Sequence, residues 1–151
     1  MEIDEGEIKF QQMQIENCVR EDVDTILKLY DDARAHQVAR KMVVWPFFEK
    51  EFLQSEINNK QQWKIVMDGE IACNWAIVFA DEAIWEDKEK GDAIYIHRIV
   101  TNPNFRGNNF VEKIVQWSKI YAAENKRRYI RLDTLGNNTR LIEHRSEEPH
   151  V

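Results

Sequence analysis

The chain has 151 residues, of which 43% are hydrophobic, 32% are charged and five are Trp, and its formal net charge at pH 7 is −6. This length fits one domain that buries roughly 70% of its unfolded surface, and the hydrophobic content excludes an intrinsically disordered chain. The apolar runs are too short to span a bilayer. An acidic balance also argues against nucleic acid as the main partner, because neutralising phosphates requires basic surface.

The cellular location is indicated by the start of the chain and by its two cysteines. The first five residues are acidic and lack the basic-then-apolar order of a signal peptide. Cys18 and Cys73 have neither metal-ligand nor redox spacing, so we interpret them as free thiols in a reducing compartment. We therefore expect a cytoplasmic protein without a metal site.

The first third of the chain predicts a strand and two helices. Imperfect alternation of apolar residues over 8–17 predicts the strand. From Arg20 onward apolar residues recur at helical spacing, and a second helix is predicted over 49–58. The segment Trp45-Pro46-Phe47-Phe48 separates the two helices. It either anchors the loop to the core or contacts a substrate, and the sequence leaves both interpretations open.

The middle of the chain predicts a β-hairpin followed by a central strand. Residues 63–67 and 71–78 are apolar runs joined by Asp68-Gly69, a strong hairpin signal because both turn positions require positive φ. A charged loop over 81–91 then leads to a strand that begins near Ala93.

The last third predicts a long helix, a strand and a short helix. A helix-to-strand return makes the strand over 129–134 a parallel neighbour of the central strand. Residues 136–139 then turn the chain into a helix predicted over 140–144. We therefore expect an α/β fold with a mixed sheet.

The centre of the chain is a strand, a turn and a helix start. The apolar, β-branched run that includes Tyr95 ends at Asn102-Pro103, because proline lacks a donor for the sheet ladder. A turn follows, and from Phe110 the apolar period becomes helical. The predicted stripe of this helix is Phe110, Ile114, Trp117 and Tyr121. Such a helix start binds anions, since its first N–H groups are unpaired and the dipole is positive there.

This arrangement resembles the GNAT-type N-acetyltransferases, which use acetyl-CoA. In that family an apolar strand and a Pro precede Arg/Gln-x-x-Gly-x-Gly/Ala, which opens a long helix. Here the signature falls on Arg106-Gly107-Asn108-Asn109-Phe110-Val111. Arg106 matches, and Asn109 stands at a small-residue position, where it tolerates left-handed backbone angles. The resemblance implies a mixed, mostly antiparallel sheet with a splayed parallel pair, flanked by helices.

The C-terminus departs from the family pattern. Asn138 matches the Asn that opens the family's last motif, whereas Arg145 occupies its Tyr position and Pro149-His150 stand where Gly-Phe belongs. No residues remain for the family's two closing strands. We therefore expect a single GNAT-like domain over 1–151, shortened at its C-terminus. The missing strands would leave an open sheet edge at 129–134, which a homodimer would cover.

The resemblance also assigns the site. Acetyl-CoA would be the cosubstrate, with main-chain hydrogen bonds to its thioester arm from the central strand and with the turn's N–H groups holding the pyrophosphate. Asn138 would contact the arm from the other side. The cofactor contacts implied are Ile99, Thr101, Arg106, Gly107, Asn108, Asn109, Phe110, Val111 and Asn138.

The predicted general base lies on the same strand. Two-residue alternation places Tyr95, His97, Ile99 and Thr101 on one strand face. His97 would then be a group that titrates near neutral pH beside the thioester, suited to take the ammonium proton from the acceptor. The alternative is a histidine with a structural hydrogen bond, and Tyr95 is a second candidate for the base.

Two classes of function remain open. One is an N-acetyltransferase that acts on the primary amine of a small molecule or peptide. The other is a non-catalytic module that binds acyl-CoA or a partner protein. Arg145 favours the module, because a guanidinium cannot replace the acid that the family's Tyr provides. An unrelated nucleotide-phosphate binder is disfavoured, because no Lys-Ser/Thr follows the glycine as in a Walker loop.

Overall fold

The computed structural model describes residues 13–79, 92–133 and 139–143. Within these ranges six strands form one sheet in the order β1-β2-β3-β4-β5-β6, with each strand beside its sequence neighbour. All neighbouring strands are antiparallel except β4 and β5, which are parallel. The strands are β1 Gln14–Asn17, β2 Gln62–Met67, β3 Glu70–Val78, β4 Ala93–Thr101, β5 Tyr129–Asp133 and β6 Thr139–Glu143. This confirms the mixed, mostly antiparallel sheet.

Helices cover both faces of the sheet. Helix α1 spans Val23–Ala39, α2 spans Lys50–Asn58 and α3 spans Phe110–Glu124. One buried cluster lies between the sheet and helices α1 and α2, and it contains Ile26, Tyr30, Leu53, Ile57, Ile71 and Val100 among others. A second cluster lies under α3 and includes Ile65, Trp75, Ile96, Phe110, Ile114, Ile130 and Leu132. Full burial of one such aliphatic side chain stabilises the fold by about 1.5–3 kcal/mol.

The buried stripe of α3 differs slightly from the predicted one. Phe110, Ile114, Ser118 and Ala122 are its buried residues, spaced four apart. Trp117 is half-buried beside that stripe, with its ring centroid 4.6 Å from that of Trp63. The predicted stripe thus includes two of the four buried positions. Large aromatic side chains at the edge of a helix face reach the core without being enclosed by it.

The hairpin prediction is confirmed. β2 and β3 are antiparallel and flank Asp68-Gly69. Asp68 has a φ of +54° and Gly69 a φ of +77°, so both turn residues adopt the left-handed conformation that a tight two-residue hairpin requires. This local signal was sufficient to pair two strands correctly.

The end of the chain requires a correction. The helix predicted over 140–144 is wrong, because Thr139–Glu143 is strand β6 and pairs antiparallel with β5 from Tyr129↔Glu143 to Asp133↔Thr139. One closing strand is therefore present, and the edge at 129–134 expected to be open is covered. The backbone groups of β5 need partners, and this requirement outweighs a short helical pattern. The argument for a homodimer loses its basis.

Other predictions agree with the described residues or lie outside them. The strand predicted over 8–17 is present as Gln14–Asn17, and the parallel strand predicted over 129–134 is present as Tyr129–Asp133. The charged loop over 81–91, the turn residue Asn138 and the altered positions from Arg145 onward lie outside the described residues. No described helix is both long and apolar enough to cross a membrane.

Candidate functional site

Strand β4 extends beyond its described pairing with β5. Among the residues that the structure describes, the last β4–β5 pair is Ile96↔Leu132, and β4 continues to Thr101. On the other side, its register with β3 passes from Ala76↔His97 to Asn74↔Val100. Two residues of β4 therefore oppose Trp75 alone, which defines a β-bulge. The described part of β5 thus pairs with the first half of β4, and the bulge lies in the second half.

The bulge consists of Arg98 and Ile99, and it corrects the predicted alternation. Arg98 has a φ of +54°. Val100 packs into the cluster under α1 and α2, whereas Ile99 packs against the cluster under α3. Tyr95 and His97 precede the bulge and share the face of Val100. The prediction that Tyr95, His97, Ile99 and Thr101 share one face is therefore wrong, because one extra residue reverses the alternation beyond it.

The turn after β4 leads into an uncapped helix. Gly107 has a φ of +88°, and Asn109, the N-cap of α3, has a φ of 59° and a ψ of 43°, the left-handed conformation expected of it. No side chain caps this helix start. The N–H of Lys113 donates to the carbonyl of Asn109 at 3.3 Å, so the N–H groups before it lie in the unpaired first turn, where an anion is favoured.

A cleft of about 450 Å³ unites the end of β4 with this helix start. Eight of the nine residues predicted to contact a cofactor line it, namely Ile99, Thr101, Arg106, Gly107, Asn108, Asn109, Phe110 and Val111. The ninth, Asn138, lies outside the described residues. Neither Tyr95 nor His97 lines the described part of this cleft.

The opposite wall of the cleft was not predicted, apart from the open possibility that the segment starting at Trp45 contacts a substrate. This wall is made by α1 and by the segment after it, and consists of Leu29, Asp32, Ala33, His36, Gln37 and Trp45. Helical spacing places Asp32, Ala33 and His36 on one face of α1. Nothing in the sequence indicated that this face is directed toward the turn after β4, because the packing of α1 against the sheet decides its direction.

Trp45 is held in this wall by two side chains of α1. The Trp45 N–H donates to Gln37 Oε1 at 2.8 Å, and Arg34 Nε donates to the Trp45 carbonyl at 3.2 Å. The Trp45 ring meets the Tyr30 ring edge-on at 6.1 Å. Phe48 contacts Tyr30 as well, with ring centroids 5.2 Å apart. Trp45 thus lines the cleft, and both Trp45 and Phe48 anchor the aromatic segment to α1.

The two predicted base candidates lie near the end of the described β4–β5 pairing, in which Tyr95 is paired with Arg131. His97 is half-buried and is the first residue of β4 beyond the parallel pairing. Tyr95 is buried, and Arg131 Nη1 donates to its hydroxyl at 3.0 Å. Both residues therefore lie in or next to the described parallel pairing and not in the described lining of the cleft.

A buried polar network lies on the same face of the sheet. Arg98 Nη2 lies 2.7 Å from both carboxylate oxygens of Glu56. Gln62 Nε2 donates to Glu56 Oε1 at 2.8 Å and to the Tyr30 hydroxyl at 3.2 Å. Asn74 Nδ2 donates to Gln62 Oε1 at 2.8 Å. Burial raises the pKa of Tyr30, against the lowering influence of the Arg98 charge.

The cysteine side chains are not suited to catalysis. Burial raises the pKa of both the Cys18 and the Cys73 thiol to about 12. Both side chains are thus protonated near neutral pH, whereas the thiolate is the reactive form. The described residues contain no group of three or more His, Cys, Asp or Glu arranged to hold a metal ion.

Solved structures show what this architecture is similar to. A GNAT-family acetyltransferase from Listeria monocytogenes matches with 20% identity and a TM-score of 0.70, covering 83% of this chain and 78% of its own. A GNAT-family acetyltransferase from Streptococcus agalactiae matches with 22% identity and a TM-score of 0.61, covering 82% of this chain and 76% of its own. A predicted acetyltransferase from Clostridium acetobutylicum, solved with acetyl-CoA, matches with 17% identity and a TM-score of 0.60, covering 82% of this chain and 81% of its own.

The comparisons with family models and with curated proteins give no match. The similarity lies in the arrangement of strands and helices. On this evidence the chain has the fold of the GNAT-family acetyltransferases.

Proposed function

We propose that this chain is an acetyl-CoA-dependent N-acetyltransferase that acetylates the primary amine of a small molecule or peptide by direct attack. The observation that carries the proposal is the cleft, which joins the end of β4 to the uncapped start of α3. A CoA thioester requires both features, because its amide-containing arm pairs with a strand edge and its pyrophosphate pairs with free N–H groups. The similar Clostridium acetobutylicum structure, which contains acetyl-CoA, supports the assignment.

The residues of the cleft fit such a ligand. Main-chain groups of Ile99 and Thr101 would bind the thioester arm, and Asn138 is the proposed contact on its other side. The N–H groups of residues 106–111 would hold the pyrophosphate, with the Arg106 side chain as its cation. Arg106 is exposed and lines the cleft. Bound acetyl-CoA supplies the activated acetyl group.

The chemistry left to the chain is proton transfer and orientation. An acceptor amine is mostly protonated near pH 7 and must lose a proton before its nitrogen can attack the carbonyl carbon. We assign that proton transfer to His97, directly or through a water molecule, with Tyr95 as the second candidate. The position of His97 immediately beyond the last β4–β5 pair supports this role, since the thioester would enter at that point.

Turnover is tested by following release of the CoA thiol from acetyl-CoA in the presence of diamines, amino sugars and short peptides. The protein's own thiols are buried and do not obscure a thiol reagent in the native state. We expect release that depends on at least one amine. CoA binding without turnover for any amine would instead support the non-catalytic module.

A further inference from the structure

We propose that Arg98, held by Glu56, is a positioning residue that sets the bulge of β4 and thereby orients the main-chain groups of Ile99 and Thr101. The inference rests on the proposed function, which assigns those groups to the thioester arm. Arg98 itself does not line the described part of the cleft. Its influence on the ligand would pass through the shape of the strand.

The backbone of Arg98 is in a conformation that its residue type rarely adopts. Its φ of +54° lies in the left-handed region, which is populated mainly by Gly, Asn and Asp. Nothing in the local sequence favours this conformation at Arg98. Contacts made elsewhere in the fold must therefore stabilise it.

The Arg98 side chain has such contacts. Arg98 Nη2 lies 2.7 Å from both oxygens of Glu56 on α2, and the two side chains are only 11% and 10% exposed. The guanidinium carbon of Arg98 lies 4.9 Å from the ring centroid of Phe48, 5.2 Å from that of Phe52 and 5.8 Å from that of Tyr30. A cation enclosed by rings and paired with a buried carboxylate has one favourable position.

Glu56 is fixed in turn by the sheet. Gln62 of β2 donates to Glu56 Oε1 at 2.8 Å, and Asn74 of β3 donates to Gln62 Oε1 at 2.8 Å. The position of Arg98 is thus specified from α2 and from two strands at once. Removing the Glu56 charge would leave Arg98 without its anion and release this constraint.

The bulge that Arg98 forms determines the geometry of the cleft. Regular pairing of β4 with β3 resumes only at Val100, so Arg98 and Ile99 together oppose Trp75. Without the extra residue, two-residue alternation would place Ile99 on the opposite face. The main-chain groups of Ile99 and Thr101 would then turn away from their present directions. The ion pair is therefore coupled to the part of the cleft that would hold the arm.

The competing explanation is that the pair merely holds α2 against the sheet. Leu53 lies one turn before Glu56 on α2 and is fully buried in the cluster under α1 and α2. Leu53→Ala removes packing of the same helix on the same face without touching the bulge. It is the matched control for loss of stability alone.

The experiment measures the binding of CoA and of two fragments by calorimetry. Adenosine 3′,5′-bisphosphate lacks the arm, and pantetheine lacks the pyrophosphate. The variants are Glu56→Gln, which keeps an acceptor for Gln62, and the double variant Arg98→Met/Glu56→Gln, which leaves no unpaired buried charge and is expected to fold. Circular dichroism and urea unfolding confirm that each variant is folded under the assay conditions.

We expect Glu56→Gln and the double variant to weaken CoA and pantetheine on the order of tenfold, within the usual range of coupling between sites. Leu53→Ala should leave both affinities unchanged, and adenosine 3′,5′-bisphosphate should bind every variant as it binds the wild type. Wild-type affinity for pantetheine in the double variant would overturn the inference, as would an equal loss in Leu53→Ala. Failure of the wild type to bind CoA at all would refute the proposed function, and this inference with it.

Discussion

Arg106→Ala tests the proposed phosphate contact with little effect on the fold. Arg106 is exposed, and it has no hydrogen bond or ion pair with other residues that the structure describes. An exposed substitution without such contacts changes the free energy of unfolding by about 0.5 kcal/mol or less. A side chain that donates charge-assisted hydrogen bonds contributes about 1.5–3 kcal/mol. The dissociation constant of CoA should therefore rise about 10- to 150-fold.

Calorimetric titration with CoA and with pantetheine separates the phosphate contact from a general disturbance of the cleft. Pantetheine carries no pyrophosphate, so its affinity should not change in Arg106→Ala. Arg20→Ala is the matched control, since Arg20 is also exposed and lies before α1, away from the cleft. An equal loss of affinity for CoA and pantetheine, or a loss of CoA affinity in proportion to lost stability, would refute the assignment.

Four further outcomes are expected. Because burial raises the pKa of Cys18 and Cys73 to about 12, neither thiol should react with a thiol reagent at pH 8 until urea unfolds the chain, and rapid labelling of the native protein would contradict this. Since an unfolded thiol ionises above its ordinary pKa of 9.0, the free energy of unfolding should also fall as pH rises from 9 toward 12. Gly69→Ala should lower the free energy of unfolding, measured in urea, by about 1–2 kcal/mol, because Gly69 has a φ of +77°, although the space around it is open. An unchanged midpoint of urea unfolding would show that the turn adapts. His97→Ala should remove the alkaline rise of the pH–rate profile and slow turnover about 10²–10⁴-fold without changing CoA affinity. His36→Ala, at another residue of the cleft, should leave the profile intact. An intact profile in His97→Ala would make His97 structural.

Local signals predicted the parts of the fold that depend on local chemistry. Asp68-Gly69 was sufficient to pair β2 with β3, because the turn dictates the register. Pro103 ended β4 and Asn109 began α3 as predicted. In each case one residue type fits the backbone angles required at that position.

The bulge of β4 was not predicted because its cause is remote in sequence. Arg98 carries no local preference for positive φ, and Glu56, its partner, is 42 residues away. The predicted alternation along the strand was therefore correct only up to His97. The α1 part of the far wall was missed for the same reason, since His36 reaches the cleft through the packing of α1.

Strand β6 was missed because tertiary pairing outweighed a weak local pattern. Residues 139–143 are few, and their sequence is compatible with one helical turn. The free edge of β5 supplies the hydrogen-bonding partners that make these residues a strand. The secondary structure of a short segment next to an unpaired parallel strand should accordingly be assigned from the hydrogen-bonding partners that this strand requires.

The central claim is that the cleft binds CoA, and thermal denaturation with CoA, acetyl-CoA and ATP in parallel tests it most directly. A ligand at 100 times its dissociation constant stabilises the folded state by about 2.7 kcal/mol. We expect CoA and acetyl-CoA to raise the melting temperature by several degrees and ATP, which lacks the arm, to raise it far less. An unchanged melting temperature at millimolar CoA, or an equal rise with ATP, would contradict the account.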